Sequence, residues 1–178
     1  MPAAPDAEAE LRKHIRDIPD FPKSGILFRD LTPLLANAGA LKLAIEAIAE
    51  PFRGLEIDYV VGTEARGFIF GAPVATTLGV GFVPARKPGK LPGSTLSASY
   101  DLEYGTDHIE MHTDALSSGD RVLIVDDLIA TGGTAQATID LVRKSGAIVA
   151  GCSFLIELTF LEGRKTLGIE PCHAVVRY

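Results

Sequence analysis

Residues 122–135 read VLIVDDLIATGGTA, and no other stretch of the chain restricts its fold and its chemistry so closely. Val122–Val125 is a short β-branched-rich run, the pattern of a strand buried on both faces of a parallel sheet. Ala130, Thr131, Gly132, Gly133 and Thr134 offer little bulk and two hydroxyls, and Thr134 opens a segment with helical spacing. A glycine-rich turn between a strand and a helix N-terminus presents backbone N–H groups with the helix dipole behind them, which is a cradle for phosphate. The carboxylates of Asp126 and Asp127 repel a phosphate; they suit sugar hydroxyls, which donate hydrogen bonds, or a divalent cation. The segment therefore predicts a ligand with a phosphate at one end and a diol beside it, a phosphorylated ribose. An ordinary strand-to-helix turn uses similar residues, but the order of apolar run, Asp-Asp and ATGGT is far more demanding.

The rest of the chain alternates in the same way. Helical spacing predicts helices over Ala7–Ile18, stopped by Pro19, over Ala38–Phe52 and over Phe68–Leu78. Short apolar runs predict strands at Tyr59–Val61, Gly81–Arg86, Ile148–Leu158 and Ala174–Val176. Phe21–Pro33, with its prolines and glycine around Ile26–Phe28, reads as a loop or hood. Ser97–Glu103 and Asp107–His112 alternate like a hairpin around Tyr104-Gly105-Thr106. Strands alternating with helices imply an α/β fold, a mainly parallel twisted sheet with helices on both faces, binding ligands beyond the carboxyl ends of its strands. Three loops then converge: Thr63–Gly67, Lys87–Gly93 and Asp126–Thr134.

At 178 residues the chain is long enough for one well-cored domain, with residues 1–9 as a disordered lead-in. That lead-in has neither a basic nor an apolar region of a signal peptide, and no apolar run approaches the ~20 residues of a membrane span. A cytoplasmic protein without membrane association is expected. The net charge of −6 argues against a nucleic-acid partner. Cys152 and Cys172 read as buried, reduced thiols. Gly79-Val80-Gly81 lacks the third glycine of a dinucleotide motif because Pro84 stands there. His108-Ile109-Glu110-Met111-His112 is not a zinc motif, and no Walker lysine follows either glycine loop.

The segment VLIVDDLIATGGTA resembles the phosphoribosyl-pyrophosphate (PRPP) signature of the type I phosphoribosyltransferases, and LIATGGTA after the aspartates is most similar to their adenine-specific members. The resemblance extends through GTEARG (62–67), RKPGKLPG (86–93) and SYDLEYG (99–105). It implies a single domain over 10–178, with a small N-terminal hood at about 19–36 and a mobile lid hairpin at about 87–112. It implies Mg²⁺-dependent transfer of phosphoribosyl from PRPP to N9 of adenine, giving AMP and pyrophosphate. The ATGGT turn would then hold the 5′-phosphate, Asp126 and Asp127 the ribose hydroxyls, and Arg66, Lys87, Lys90 and Tyr104 the pyrophosphate. Magnesium would be bound mainly through PRPP and waters. The family often carries a non-proline cis peptide in the pyrophosphate loop, here Glu64-Ala65, and is commonly a homodimer.

Hypoxanthine- and guanine-type members carry an aspartate where this chain has Ala130. With a methyl group there, the resemblance assigns the acid/base role at the imidazole edge of adenine to Glu103, with Arg66 completing the catalytic pair. Adenine recognition would come from backbone groups of Leu27 and Arg29, with Phe28 stacking on the purine and Leu158 closing the other side. From the residues alone, Phe28 suits ordinary core as well, and Glu103 a solvated hairpin. A PRPP-sensing regulator on the same fold is the competing class; it would usually add a DNA-binding domain, for which neither spare length nor basic charge is present.

Overall fold

The computed structural model describes residues 7–101, 106–169 and 171–178. At its centre is a five-stranded sheet in the order β4-β3-β7-β8-β9: β3 (Tyr59–Thr63), β4 (Gly81–Ala85), β7 (Arg121–Ile129), β8 (Ile148–Glu157) and β9 (Cys172–Arg177). Every neighbouring pair is parallel. Such a sheet must be covered on both faces, and the apolar strand residues divide accordingly. Val61, Val83, Ile124, Phe154 and Ala174 pack with α5 (Gly133–Lys144) and with a hairpin of β5 (Thr95–Asp101) and β6 (Thr106–His112). Val60, Leu123, Val125, Ile156 and Val176 pack on the other face with α1 (Ala7–Arg12), α3 (Ala38–Ala49) and α4 (Arg66–Leu78).

The chain lays down β3, places β4 on one side of it, and returns through the hairpin to place β7 on the other side. The helices after β3 and β7 lie on opposite faces, α4 with one cluster and α5 with the other. The two outgoing loops therefore diverge and leave a crevice at the carboxyl end of the sheet, the usual ligand position in open α/β folds.

The N-terminal region differs from its sequence pattern. The helix expected over Ala7–Ile18 ends at Arg12, and β1 (Arg16–Pro19) pairs antiparallel with β2 (Leu27–Asp30) inside the segment expected to be a loop. Cross-strand charge selects this arrangement: Arg16 Nη2 lies 2.6 Å from Asp30 Oδ2, and Arg29 pairs with Asp17. A short helix, α2 (Thr32–Ala36), completes the hood. The final helix, α6 (Gly163–Leu167), precedes β9 and was not marked by periodicity. Cys152 and Cys172, distant in sequence, are register partners on β8 and β9; both are buried and neither is in a disulfide among the described residues, and burial pushes the Cys152 thiol up.

Ile124 is fully buried on β7, between β3 and β8. Ile124→Ala is expected to cost about 2–5 kcal/mol through lost burial and the remaining cavity, measured by urea unfolding.

Candidate active site

Strand β7 runs four residues beyond the apolar stretch that announced it, from Arg121 to Ile129, so the two aspartates belong to the strand and not to the turn after it. The ladder with β8 includes Asp126, Leu128 and Ile129, whereas the ladder with β3 stops at Gly62↔Val125. From Asp126 onward the β3 side of β7 is open. Asp126 and Asp127 stand where the neighbouring strand has turned away.

Their surroundings are tight. A methyl group on Gly67, in the first turn of α4, would lie 2.7 Å from Asp126 Oδ1, so only glycine lets the helix approach that carboxylate. The same oxygen accepts the N–H of Asp127 at 2.8 Å. Arg66 Nε lies 2.7 Å from Asp127 Oδ2, yet no N–H is aligned on that buried oxygen, which has no hydrogen bond. Attraction is supplied, but a directed donor is missing, and buried acceptors left so are costly. Burial raises the pKa of Asp126 well above its ordinary value, and the adjacent Asp127 charge adds to it. Burial also raises Asp127, opposed by the Arg66 charge.

The turn after β7 is shaped by Gly132, whose φ of 88° is left-handed, and α5 begins at Gly133. There is no acidic residue in the first turn of α5, while Arg143 and Lys144 occupy its last. The unpaired N–H groups at the helix start therefore meet no competing carboxylate from their own helix.

The two other predicted loops meet this turn in one cleft of about 390 Å³, lined by Glu64, Ala65, Arg66, Lys87, Tyr100 and Asp126 through Ala135. The Glu64-Ala65 peptide is cis. Glu64 anchors the start of the 86–93 loop: its carboxylate accepts from Arg86 at 3.1 and 3.2 Å and from the Lys87 backbone N–H at 3.0 Å. Lys87 Nζ donates to Tyr100 Oη at 2.7 Å and to Asp107. Burial works against the Lys87 charge, but these two partners outweigh it and raise its pKa. Lys90, by contrast, is exposed and does not line the cleft. Glu103 and Tyr104 lie outside the described residues.

The hood reaches the cleft through Phe28. Its ring centroid is 5.8 Å from the guanidinium carbon of Arg66, and it packs edge-on against Phe21 at 5.1 Å. Leu27 is half exposed, and the Arg29 side chain stacks on Tyr178 at 3.7 Å, away from Phe28's partner. Leu158 packs in the same cluster as Leu128.

Residues 31–165 match the family model described as the phosphoribosyl transferase domain. The adenine phosphoribosyltransferase of Thermobifida fusca is 59% identical over 162 residues, covering 91% of this chain and 92% of that protein. The adenine phosphoribosyltransferase of Methylococcus capsulatus is 60% identical over 169 residues, covering 95% and 99%. The chain belongs to the adenine phosphoribosyltransferase family. Solved members share its fold: the Rhodothermus marinus enzyme superposes with a TM-score of 0.91 at 58% identity, covering 97% of this chain and 98% of that one. The Saccharomyces cerevisiae enzyme, solved with an imino-altritol bisphosphate and adenine, gives 0.90 at 44% identity, covering 95% and 98%.

Three residues at or beside this cleft were not assigned from sequence. Glu64 and Tyr100 fell inside the quoted motifs GTEARG and SYDLEYG, but nothing there separates a lid anchor from a solvated side chain. Gly163 carried no signal at all, although it packs on the ATGGT turn.

The raised Asp126 has a thermodynamic consequence. A carboxyl whose folded pKa exceeds its unfolded one costs no stability while both states are protonated, and an increasing amount as pH climbs toward the folded value. With Asp127 and Arg66 as its charged neighbours, Asp126→Asn is expected to raise the melting temperature of the ligand-free protein at neutral pH. The gain should fade as pH falls into the ordinary carboxylate range. A lower melting temperature for the variant at neutral pH would contradict the assignment.

Proposed function

We propose that this cleft binds PRPP and adenine and transfers the phosphoribosyl group to N9, forming AMP and pyrophosphate in purine salvage. The observation that carries the reading is the single cleft in which the Asp126–Asp127 pair, the ATGGT turn, Arg66 and Lys87 come together. In this reading the 5′-phosphate sits on the turn, where helix amides and the Thr131 and Thr134 hydroxyls face it. The ribose hydroxyls donate to the aspartates, and Asp127 Oδ2 supports this because it is buried and lacks a donor. Arg66 and Lys87 hold the pyrophosphate, with Lys90 and Tyr104 joining them from the lid.

As N9 approaches C1′, the bond from C1′ to the pyrophosphate oxygen lengthens, and the ribose takes on oxocarbenium character. The paired carboxylates lie on the side where that positive charge develops, and the cations receive the departing negative charge. Catalysis in this scheme is positioning and electrostatic stabilisation. Glu103 handles the proton at the imidazole edge of adenine, since Ala130 supplies no carboxylate there. Mg²⁺ fits the donor set: Asp126 and Asp127 could accept from ribose hydroxyls or metal-bound waters, and the ion would be held mainly through PRPP and waters. When bound, it neutralises pyrophosphate charge and sharpens the leaving group.

The hood supports adenine selection. Among the described residues, strand β2 pairs on one edge only, with β1, which leaves the backbone of its other edge for a base. An extended segment offers the 6-amino group an acceptor and N1 a donor, and hypoxanthine reverses that pattern. Burying the mismatch costs orders of magnitude. A cytoplasmic homodimer is part of the same proposal, supported by the family resemblance.

The deciding experiment is pyrophosphate release with PRPP and Mg²⁺ against adenine, hypoxanthine, guanine, xanthine and orotate. Adenine alone should give rapid turnover; equal activity on hypoxanthine would remove the hood's role in selection. Thr131→Ala should raise KM for PRPP by roughly 10- to 100-fold, the equivalent of losing a hydrogen bond to a charged group worth ~1.5–3 kcal/mol. Glu103→Gln should lower kcat far more than either KM, and an unchanged kcat would remove its acid/base role.

A further inference from the structure

The ATGGT turn has little side chain with which to hold its own shape, and the structure supplies a brace from outside it. Gly163 lies against the turn so closely that a methyl group there would be 2.2 Å from the Ala130 carbonyl oxygen and 2.9 Å from Gly132 N. The contact is reciprocal: a methyl group on Gly132 would be 2.7 Å from the Gly163 oxygen. Two backbones meet with only hydrogens between them, which requires glycine on both sides.

Gly163 is itself fixed at both ends of its segment. Upstream, the Leu158 N–H donates to the Ile129 carbonyl at 3.0 Å, immediately before the turn. Downstream, the guanidinium of Arg164 forks onto Glu157, with Nε 3.1 Å from Oε1 and Nη2 2.7 Å from Oε2, while Nη1 donates to the Cys172 carbonyl on β9. Glu157 is buried at the end of β8 and stands in register beside Ile129. Arg177 approaches the same carboxylate at 3.5 Å. The two hydrogen bonds from Arg164 hold the Glu157 carboxyl below its ordinary range, so the pair stays ionised at neutral pH. The segment 158–164 therefore leaves the sheet beside the turn, touches the turn through Gly163, and is clamped back to the strand position abreast of it.

We propose that Glu157 and Arg164 are positioning residues for sugar-phosphate binding, acting through Gly163 on the backbone of Ala130–Gly132. This rests on the reading that the turn receives the 5′-phosphate. A bidentate pair suits the task because the planar fork fixes direction as well as distance, which a lysine cannot do. Glu157, Gly163 and Arg164 do not line the cleft, and within the segment only Leu158 is assigned to the base, so the main effect of the clamp is expected on PRPP.

The test varies PRPP and adenine separately in Gly163→Ala, Arg164→Lys and, as a reference for the turn, Thr131→Ala. Gly163→Ala should raise KM for PRPP about tenfold or more, as loss of a charge-assisted hydrogen bond would, and Arg164→Lys should shift it the same way by a smaller factor. KM for adenine should stay within about twofold, since distant sites behave independently. A general loss of structure would move both KM values or melt the protein, so circular-dichroism melting is recorded alongside. If Gly163→Ala does not fold, Arg164→Lys decides alone. A raised PRPP KM in Thr131→Ala, with none in the folded clamp variants, overturns the clamp and leaves the turn's role intact. No effect in Thr131→Ala removes the phosphate site, and the clamp with it. Equal rises in both KM values overturn the clamp as well.

Discussion

The structure depends on where the β3–β7 ladder stops. Pairing ends at Gly62↔Val125, and what happens one residue later places the aspartates, Arg66 and the ATGGT turn in the cleft. Strand β3 leaves through Thr63 toward α4 on one face, while β7 continues to Ile129 before feeding α5 on the other. Had the ladder extended by two residues, β3 would have continued beside Asp126 and Asp127 and filled the gap at the carboxyl end of the sheet. The longer β7 brings both aspartates and the start of the ATGGT turn into one cleft, so one strand furnishes the carboxylates and leads into the amides that the proposed phosphorylated-sugar site requires.

That geometry puts two adjacent carboxylates in poorly solvated positions, an arrangement that opposes folding. The protein offsets it only in part. Arg66 contributes charge to Asp127 without a directed hydrogen bond, and Asp126 receives one backbone N–H. Complete satisfaction by the protein would leave the aspartates nothing to gain from sugar hydroxyls. Incomplete satisfaction stores a binding preference in the free protein, at the expense of its stability. Gly67 belongs to the same compromise, since its missing side chain is what lets α4 and its arginine come close enough.

Much of this was legible in sequence, and the illegible parts share a cause. The parallel sheet, its two-sided cover and the convergence of three loops followed from apolar runs and glycine turns, which are local signals. The helical spacing over Ala7–Ile18 was misleading at its end because Arg16 and Asp17 obtain partners, Asp30 and Arg29, only when the chain folds back on itself. The strand limit of β7 was read short because aspartates are poor strand formers; β8 holds them in the ladder regardless. Gly163 shows the limit most clearly. A glycine required by a backbone contact thirty residues away looks the same in sequence as a glycine in any turn.

The cations of the cleft show the same economy of charge as its carboxylates. Arg66 lies on Asp127, Arg86 on Glu64, and Lys87 on Asp107 and Tyr100. Each is thus held in place, partly exposed, against a carboxylate that an incoming phosphate must displace or share. Such pairing prevents like-charge repulsion from splaying the loops of the free protein, and it keeps the lid root close to the cleft. It also makes binding an exchange of partners, so that the gain per phosphate contact is a difference between two ion pairs. Charge alone would then discriminate poorly between PRPP and any other polyphosphate. On the proposed reading, the discrimination would come from a diol meeting Asp126 and the buried Asp127 at a fixed distance from the ATGGT turn.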